Sequence, residues 1–562
     1  MPSVRRLFAK APASAAATAK RRKKRRKKRK HNGQQQAQCT VPKRKRTSTR
    51  PAPKPKHHAK KKAGKRKRVR PRAKCTPRKK KPTVPAPSSS QPPPVGVPVP
   101  PPGQATPPPP GQPSPPEKPV SSPIAMYDGP FGHEQAMRLM FRAGFGPRPG
   151  DTARLSAMGM KAAIASLTRP VGPANLVGPA PTKKDGTPWI ISPVDIEGDD
   201  LHYWFDRMMR TDQPFVERMA LVFHDWFATH KAGIPQLDML NQTNLFRKYA
   251  FGSFKDLVHD ITFDYAMIPW LSLNKSVVNN ANENYARELM ELFTLGVGRG
   301  YTEQDIREAA RALTGITPIF DPVTKVFLRY EVIQTKHDQG VKTIFGQQGN
   351  FGWEDVARLV IEHPLHPSYF VRKLWSYFIP VEPSDGDVDA LSKLYVGSGY
   401  TVRPVLEAVL SHPTFYTGPP MVKPPTVYVA GMLRARQKFA EGELWGLNAA
   451  YAGQELYRPP DVGGWDDSRW LDSNTMLARW QTVYQLMVSQ VSNAADPDET
   501  PEEALAAALK FWDDPPLREQ TRAVLLDFAR TSVPATPDGT ARALRQNALR
   551  HLIGISPDFQ VC

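Results

Sequence analysis

Residues 280–315 read NANENYARELMELFTLGVGRGYTEQDIREAARALTG, and the punctuation of this stretch decides the fold. Asn280 followed by Glu283 has the spacing of a capping box, and Gly296 supplies a left-handed stop. Thr302 opens a second helix with Asp305 in its first turn, and Gly315 ends it. The stretch is therefore two helices joined by a glycine turn. GVGRG at 296–300 follows a helix rather than a strand, so it is an interhelical turn and not a nucleotide loop.

The same helical period runs outward from this pair. It predicts helices over 133–143, 151–168, 200–210, 214–230 and 253–262 on the N-terminal side. On the C-terminal side it predicts 353–362, 367–378, 386–396, 402–410, 424–440, 474–491, 501–512, 516–531 and 539–553. One segment alternates instead. GITPIFDPVTKVFLRYEVI, around a DPVTK turn, predicts a β-hairpin at about 316–334. Residues 171–199, rich in Pro and Gly, read as a long loop. The expected fold class is mainly all-α, a large helical globule with one small β-hairpin.

Charge divides the chain. Residues 1–125 carry 36 of the 79 lysines and arginines and one of the 52 acids, Glu117, a balance of +35. The remainder carries 43 basic and 51 acidic residues, a balance of −8. Residues 1–81 form a Lys/Arg-rich arm that self-repulsion should keep disordered. Residues 82–125 form a Pro-rich spacer, with 19 prolines between 82 and 123; it reaches about 130 Å if extended. The globule, 126–562, is long enough for two subdomains. Cys39, Cys75 and Cys562 leave no disulfide framework or cysteine zinc site for its core. No run of eighteen apolar residues exists, so no transmembrane helix is expected. GxSxG, Walker A, HExxH and EF-hand patterns are all absent.

Three segments carry candidate chemistry. On the helix from Glu283, Tyr285, Leu289, Leu292, Phe293 and Gly296 share the core face. Arg287 stands four residues from both Glu283 and Glu291, and Glu288 flanks the apolar stripe. These charges make either a solvated salt-bridge ladder or a cleft in which Arg287 clamps an anion and Glu288 serves as base or ligand. In FVERMALVFHDWFATH, His224 lies among apolar residues, where a histidine is either a core residue or a ligand. Glu217 and Arg218 of that helix would pair with charges of the 283–291 block. In KHDQGVK, His337 and Asp338 share a loop, where Asp338 either caps an Asx turn or acts. His224, Glu288, His337 and Asp338, if the fold joined them near Arg287, would make a catalytic His/carboxylate site able to take a divalent metal such as zinc, manganese or iron. In 456–472, Tyr457, Trp465 and Trp470 either stack on sugar rings or pack over the core.

Six ordered blocks resemble one bacterial family, known as domain of unknown function 1800. They are FRAGFGPRP (141–149), ERMALVFHDWF (217–227), NENYARELMELFTLG (282–296), KHDQGVKTIFG (336–346), ELYRPPDVGGWDDSRWLDS (455–473) and SPDFQ (556–560). The family has no established activity. The resemblance implies an exported habitat and, as partner, a secreted protein of the alkaline-phosphatase type. The start MPSVRRLFAKAPASAAATAK lacks the apolar stretch of a signal peptide, so read literally it leaves the chain in the cytoplasm.

Three functions remain open at this point. The first is a hydrolase-like enzyme using the His/carboxylate site. The second is a non-enzymatic envelope binding or scaffold protein tethered to anionic polymer by its arm. The third is a nucleic-acid-associated protein. In the last two, residues 1–81 hold a polyanion, either cell-wall polymer or nucleic acid.

Overall fold

A computed structural model describes residues 124–178, 180–183, 185–438, 444–488, 498–534 and 538–562. The basic arm and nearly all of the Pro-rich spacer lie outside these residues. The chain divides into two units, Met1–Pro109 and Pro110–Cys562, and every described residue falls in the second.

Twenty-one α-helices run from His133–Arg142 to Gly539–Ile555 among the described residues. Among the described residues strand is confined to two small antiparallel pairs. β1 (Ile316–Phe320) and β2 (Phe327–Val332) form the expected hairpin, with Ile316 opposite Val332. β3 (Lys342–Ile344) and β4 (Gln347–Gly349) form a second hairpin that periodicity misses, because three-residue strands are too short to show alternation. Its two turn residues, Phe345 and Gly346, have φ of 49° and 74°, as a type I′ turn requires.

Helix Gln236–Lys248 is a further element that helical periodicity does not predict. It buries Gln242 and Thr243 beside Met239, Leu240 and Phe246, so its inward face is not purely apolar. Burial there follows hydrogen bonding. Thr243 Oγ1 donates to the Met239 carbonyl at 2.8 Å, and Gln242 Nε2 donates to Asp264 at 2.7 Å. Helix Leu444–Tyr451 is a further addition.

The opening pair of helices holds with one change. Thr302 and Asp305 form a capping box, and Gly296 and Gly315 both adopt φ of 95°. The first helix starts differently, without a side-chain cap, and is α-helical only over Asn284–Glu288. Leu289–Thr294 widens into a π-helical turn. The extra residue turns Met290 inward, so Tyr285, Leu289, Met290 and Phe293 are all fully buried.

One connected apolar core runs from Ala136 to Phe559. Helix Pro214–Trp226 crosses it. Proline at its first turn and Glu217 behind it open this helix, and Phe215, Met219, Phe223 and Trp226 anchor it in the core. No helix among the described residues is long and apolar enough to cross a membrane.

Candidate functional site

The expected site residues fall in separate surroundings. His224 is fully buried, and neither ring nitrogen has a hydrogen-bond partner. Trp204, Phe246, Tyr457 and Trp465 enclose it at ring separations of 5.4, 6.4, 5.6 and 5.5 Å. Burial alone lowers its pKa to about 3, so the imidazole is neutral.

Arg287 pairs with Glu283 and Glu291 at 3.2 and 3.3 Å, and with Glu303 of the next helix at 2.8 Å. It is a half-exposed ladder that ties two helices together. Glu288 is half-buried beside Glu291 and Asp461; burial, then these like charges, raise its pKa. His337 Nδ1 meets the Thr314 carbonyl at 2.9 Å. Asp338 takes Arg311 through two hydrogen bonds of 2.8 and 3.1 Å, which hold its pKa down. Asp338 also accepts the Gly340 N–H, the expected Asx turn. The 336–342 loop is thus a clip on helix Glu303–Ala312.

Among the described residues no group of three His, Cys, Asp or Glu side chains is placed to hold a metal ion. Arg311 takes Asp338, and aromatic rings wall in His224. Glu217 and Arg218 also do not pair with the 283–291 block. Glu217 accepts from Arg207, Arg247 and the Trp204 indole.

Arg218 leads instead to a cleft. Helix Pro214–Trp226 places Arg218, Leu221, Val222 and Asp225 along one wall, at helical spacing. Helix His366–Ser376 and its end supply Lys373, Ser376 and Tyr377 on the facing wall. Gln454, Trp465 and Trp470 of the 454–470 loop close it. This inner cavity holds about 220 Å³. Ser376, Met421, Asp467 and Trp470 also line a neighbouring cavity of about 400 Å³.

Asp225 is the centre of the inner cavity. Its Oδ2 accepts the Tyr377 hydroxyl at 2.7 Å, and its Oδ1 accepts the Trp465 backbone N–H at 2.8 Å. Burial raises its pKa, opposed by those two bonds. Tyr377 is pushed well up by burial and by Asp225. Lys373 Nζ donates to the Leu292 carbonyl at 2.8 Å and lies 5.0 Å over the Trp226 ring. Burial brings its pKa down to about 8, partly offset by Asp225. Arg218 donates through Nε to the Arg142 carbonyl at 3.3 Å, and burial lowers its pKa to about 10. Arg218 feels the charges of the Cys562 carboxylate and of Asp225, Lys373 feels that of Asp225, and Asp467 lines the same cavity.

The π-helical turn builds this arrangement. At a helix C-terminus the last carbonyls lack partners inside the helix. Here Leu292 receives Lys373 and the Tyr369 hydroxyl, Phe293 receives the Trp226 indole, and Thr294 receives His366 Nδ1. The block that stood out in the sequence thus serves the cleft through its backbone, not through Arg287 and Glu288. Trp465 and Trp470 are 9% and 8% exposed and Tyr457 is fully buried. Their rings pack on the core, so no open sugar-stacking platform exists in this loop.

Asp225, Lys373 and Tyr377 were not singled out from the sequence. A signal was present: Arg218 and Asp225 are charges in a largely apolar helix, and Lys373 and Tyr377 stand four apart at the end of another. An unpaired charge in an apolar run needs a partner from elsewhere in the fold.

A family described as a protein of unknown function, DUF1800, matches residues 138–561. No curated protein and no solved structure matches the chain.

Proposed function

The chain belongs to the DUF1800 family, and on that premise we propose that its globule is an acid–base enzyme whose centre is the Lys373–Asp225–Tyr377 cleft. Lys373 Nζ is the group that accepts and returns a proton. Asp225 supplies the neighbouring negative charge, and Tyr377 fixes the carboxylate in place. Arg218 supplies a second positive charge across the cleft. The observation that carries this reading is a buried lysine amine, held by a backbone carbonyl, lining a cavity beside a hydrogen-bonded Asp–Tyr pair. A lysine with a pKa of about 8 is partly deprotonated near neutral pH and can serve as a general base. This reading is favoured over the His/carboxylate metal site because His224 is fully buried and neither ring nitrogen has a hydrogen-bond partner.

The test is the titration of Lys373. Trace acetic anhydride labelling of the folded protein from pH 6 to 11, read at Lys373 by mass spectrometry, should inflect near 8. Inflection near the ordinary lysine value of 10.5 would remove the proposed base.

A second reading concerns the arm and is compatible with the first. Its +35 balance against −8 for the rest favours a tether to anionic polymer, wall polymer or nucleic acid alike. An alkaline-phosphatase-type partner and an exported habitat remain what the family resemblance implies.

A further inference from the structure

We propose that the exposed face of helix Ser473–Val488 is an interface with a second copy of this chain, the two helices meeting antiparallel across a two-fold axis. The inference is independent of the acid–base reading of the cleft.

The argument starts from one helix with two faces. Its inward face, Ala478, Arg479, Thr482, Val483, Leu486 and Met487, is buried. Val483 packs against Gly554 of helix Gly539–Ile555, and Arg479 Nη2 donates to the Lys423 carbonyl at 2.8 Å. The helix is thus anchored on one side, and its other side should be polar. Instead Leu477, Trp480, Tyr484 and Val488 follow one another there at helical spacing, and they are 51, 42, 49 and 66% exposed. The one charge on the helix is the buried Arg479, so the exposed face carries none. Helix Leu444–Tyr451 has no charge either. Asn448 Nδ2 donates to Gln485 at 2.7 Å and holds the two helices side by side. Leu444 and Tyr451, one turn to either side of Asn448, are exposed too and extend the apolar surface.

Size, symmetry and charge select a second copy as the occupant. A helix of 16 residues is about 24 Å long. With its neighbour about 10 Å away the face measures roughly 500 Å². Two such faces bury about 1,000 Å², which is enough for a specific interface of modest affinity. A two-fold axis at the level of Thr482 sets Trp480 of each copy against Tyr484 of the other, since the two stand equally far from the centre. The same axis brings Leu477 opposite Val488. Aromatic then meets aromatic and aliphatic meets aliphatic. With no charge on the face, identical copies approach without repulsion. An anionic lipid surface would call for Lys or Arg along the stripe, and neither helix offers an exposed one.

Sedimentation equilibrium of the full chain in about 0.5 M salt, which screens the basic arm, tests this. The weight-average mass should rise with concentration from that of one chain toward that of two. Trp480→Glu and Tyr484→Lys should each raise the dimer dissociation constant at least about tenfold, because each places an unpaired charge in the interface. Both side chains are exposed in the single chain, so neither variant disturbs the buried face. An equimolar mixture of W480E and Y484K should associate at least about fivefold more tightly than either variant alone, because opposite charges then face each other at one contact and the native pair is kept at the other. The mass of one chain at every concentration up to about 100 μM, undiminished association in either variant, or a mixture no tighter than its components would overturn the proposal. A single-chain mass together with flotation on neutral phosphatidylcholine vesicles that is lost in W480E would overturn it in favour of a lipid surface. None of these results bears on the titration of Lys373, so the two readings fail separately.

Discussion

At Gly464 the backbone has φ of 97°, and a Cβ there would lie 2.4 Å from Asp225 Oδ1 and 2.8 Å from the Asp225 carbonyl. Only glycine lets the 461–465 turn come down on the carboxylate and donate the Trp465 N–H to it. Gly464→Ala should therefore cost about 1–3 kcal/mol, with a lower urea midpoint and an unchanged m value. A wild-type midpoint would mean the turn does not press on Asp225. Two buried histidines set the acid limit. His224 and His366 have pKa values lowered by burial to about 3 and about 4, against 6.5 when unfolded. Below pH 6.5 the unfolded chain binds protons that the folded chain does not. Their contribution is fully present above pH 6.5 and is lost as pH falls toward 4. The expected slope from the pair approaches about 2.7 kcal/mol per pH unit near pH 5. Denaturant unfolding from pH 4.5 to 7.5 measures it, and His366→Gln should halve the pair's share; an unchanged slope in that variant would contradict the assignment.

At the scale of elements, the π-helical turn Leu289–Thr294 and helix His366–Ser376 act as one unit. Two donors from that helix, Tyr369 and Lys373, converge on the single carbonyl of Leu292 at 2.5 and 2.8 Å. Removing one leaves the carbonyl satisfied; removing both leaves it buried and bare. Tyr369→Phe and Lys373→Met should therefore be non-additive, with the double variant losing about 0.5–2 kcal/mol more than the two singles together. A double-mutant cycle by chemical denaturation checks this, and strict additivity would show that the two donors are independent. The fusion also explains why the 280–315 stretch reads as eventful. Its charges make the Arg287 ladder, worth about 0.3–0.5 kcal/mol per exposed pair, while its irregular backbone does the positioning.

At the scale of the molecule, the charged arm and the cleft are separate devices. The arm's +35 exceeds the +27 of the whole chain, and its sequence offers almost no aromatic ring, Phe8 apart, for base stacking. Polyanion binding should reside in residues 1–81 and be indifferent to sequence. If about 8 phosphates of duplex DNA are engaged, log affinity should fall against log salt with slope about −7. Deleting 1–81 should abolish this binding and leave the melting temperature of the rest unchanged. Tight, salt-sensitive DNA binding by the shortened chain would refute the division.

The sequence by itself determined the helical class, the β1–β2 hairpin, the Thr302 cap and the Gly296 and Gly315 stops. These depend on contacts a few residues apart, which periodicity and turn chemistry record directly. It also exposed the Arg287 ladder, because i,i+4 pairs are local. What it did not determine was which ionisable residues meet. Asp225 and Tyr377 are 152 positions apart and Asp225 and Trp465 are 240 apart. Lys373 is held by a carbonyl 81 positions away that no side-chain pattern marks. His224, prominent in the sequence, was withdrawn into the core by rings from three other segments. Only the tertiary structure decides such matters, because the pKa and reach of a buried group follow from what the rest of the chain packs around it.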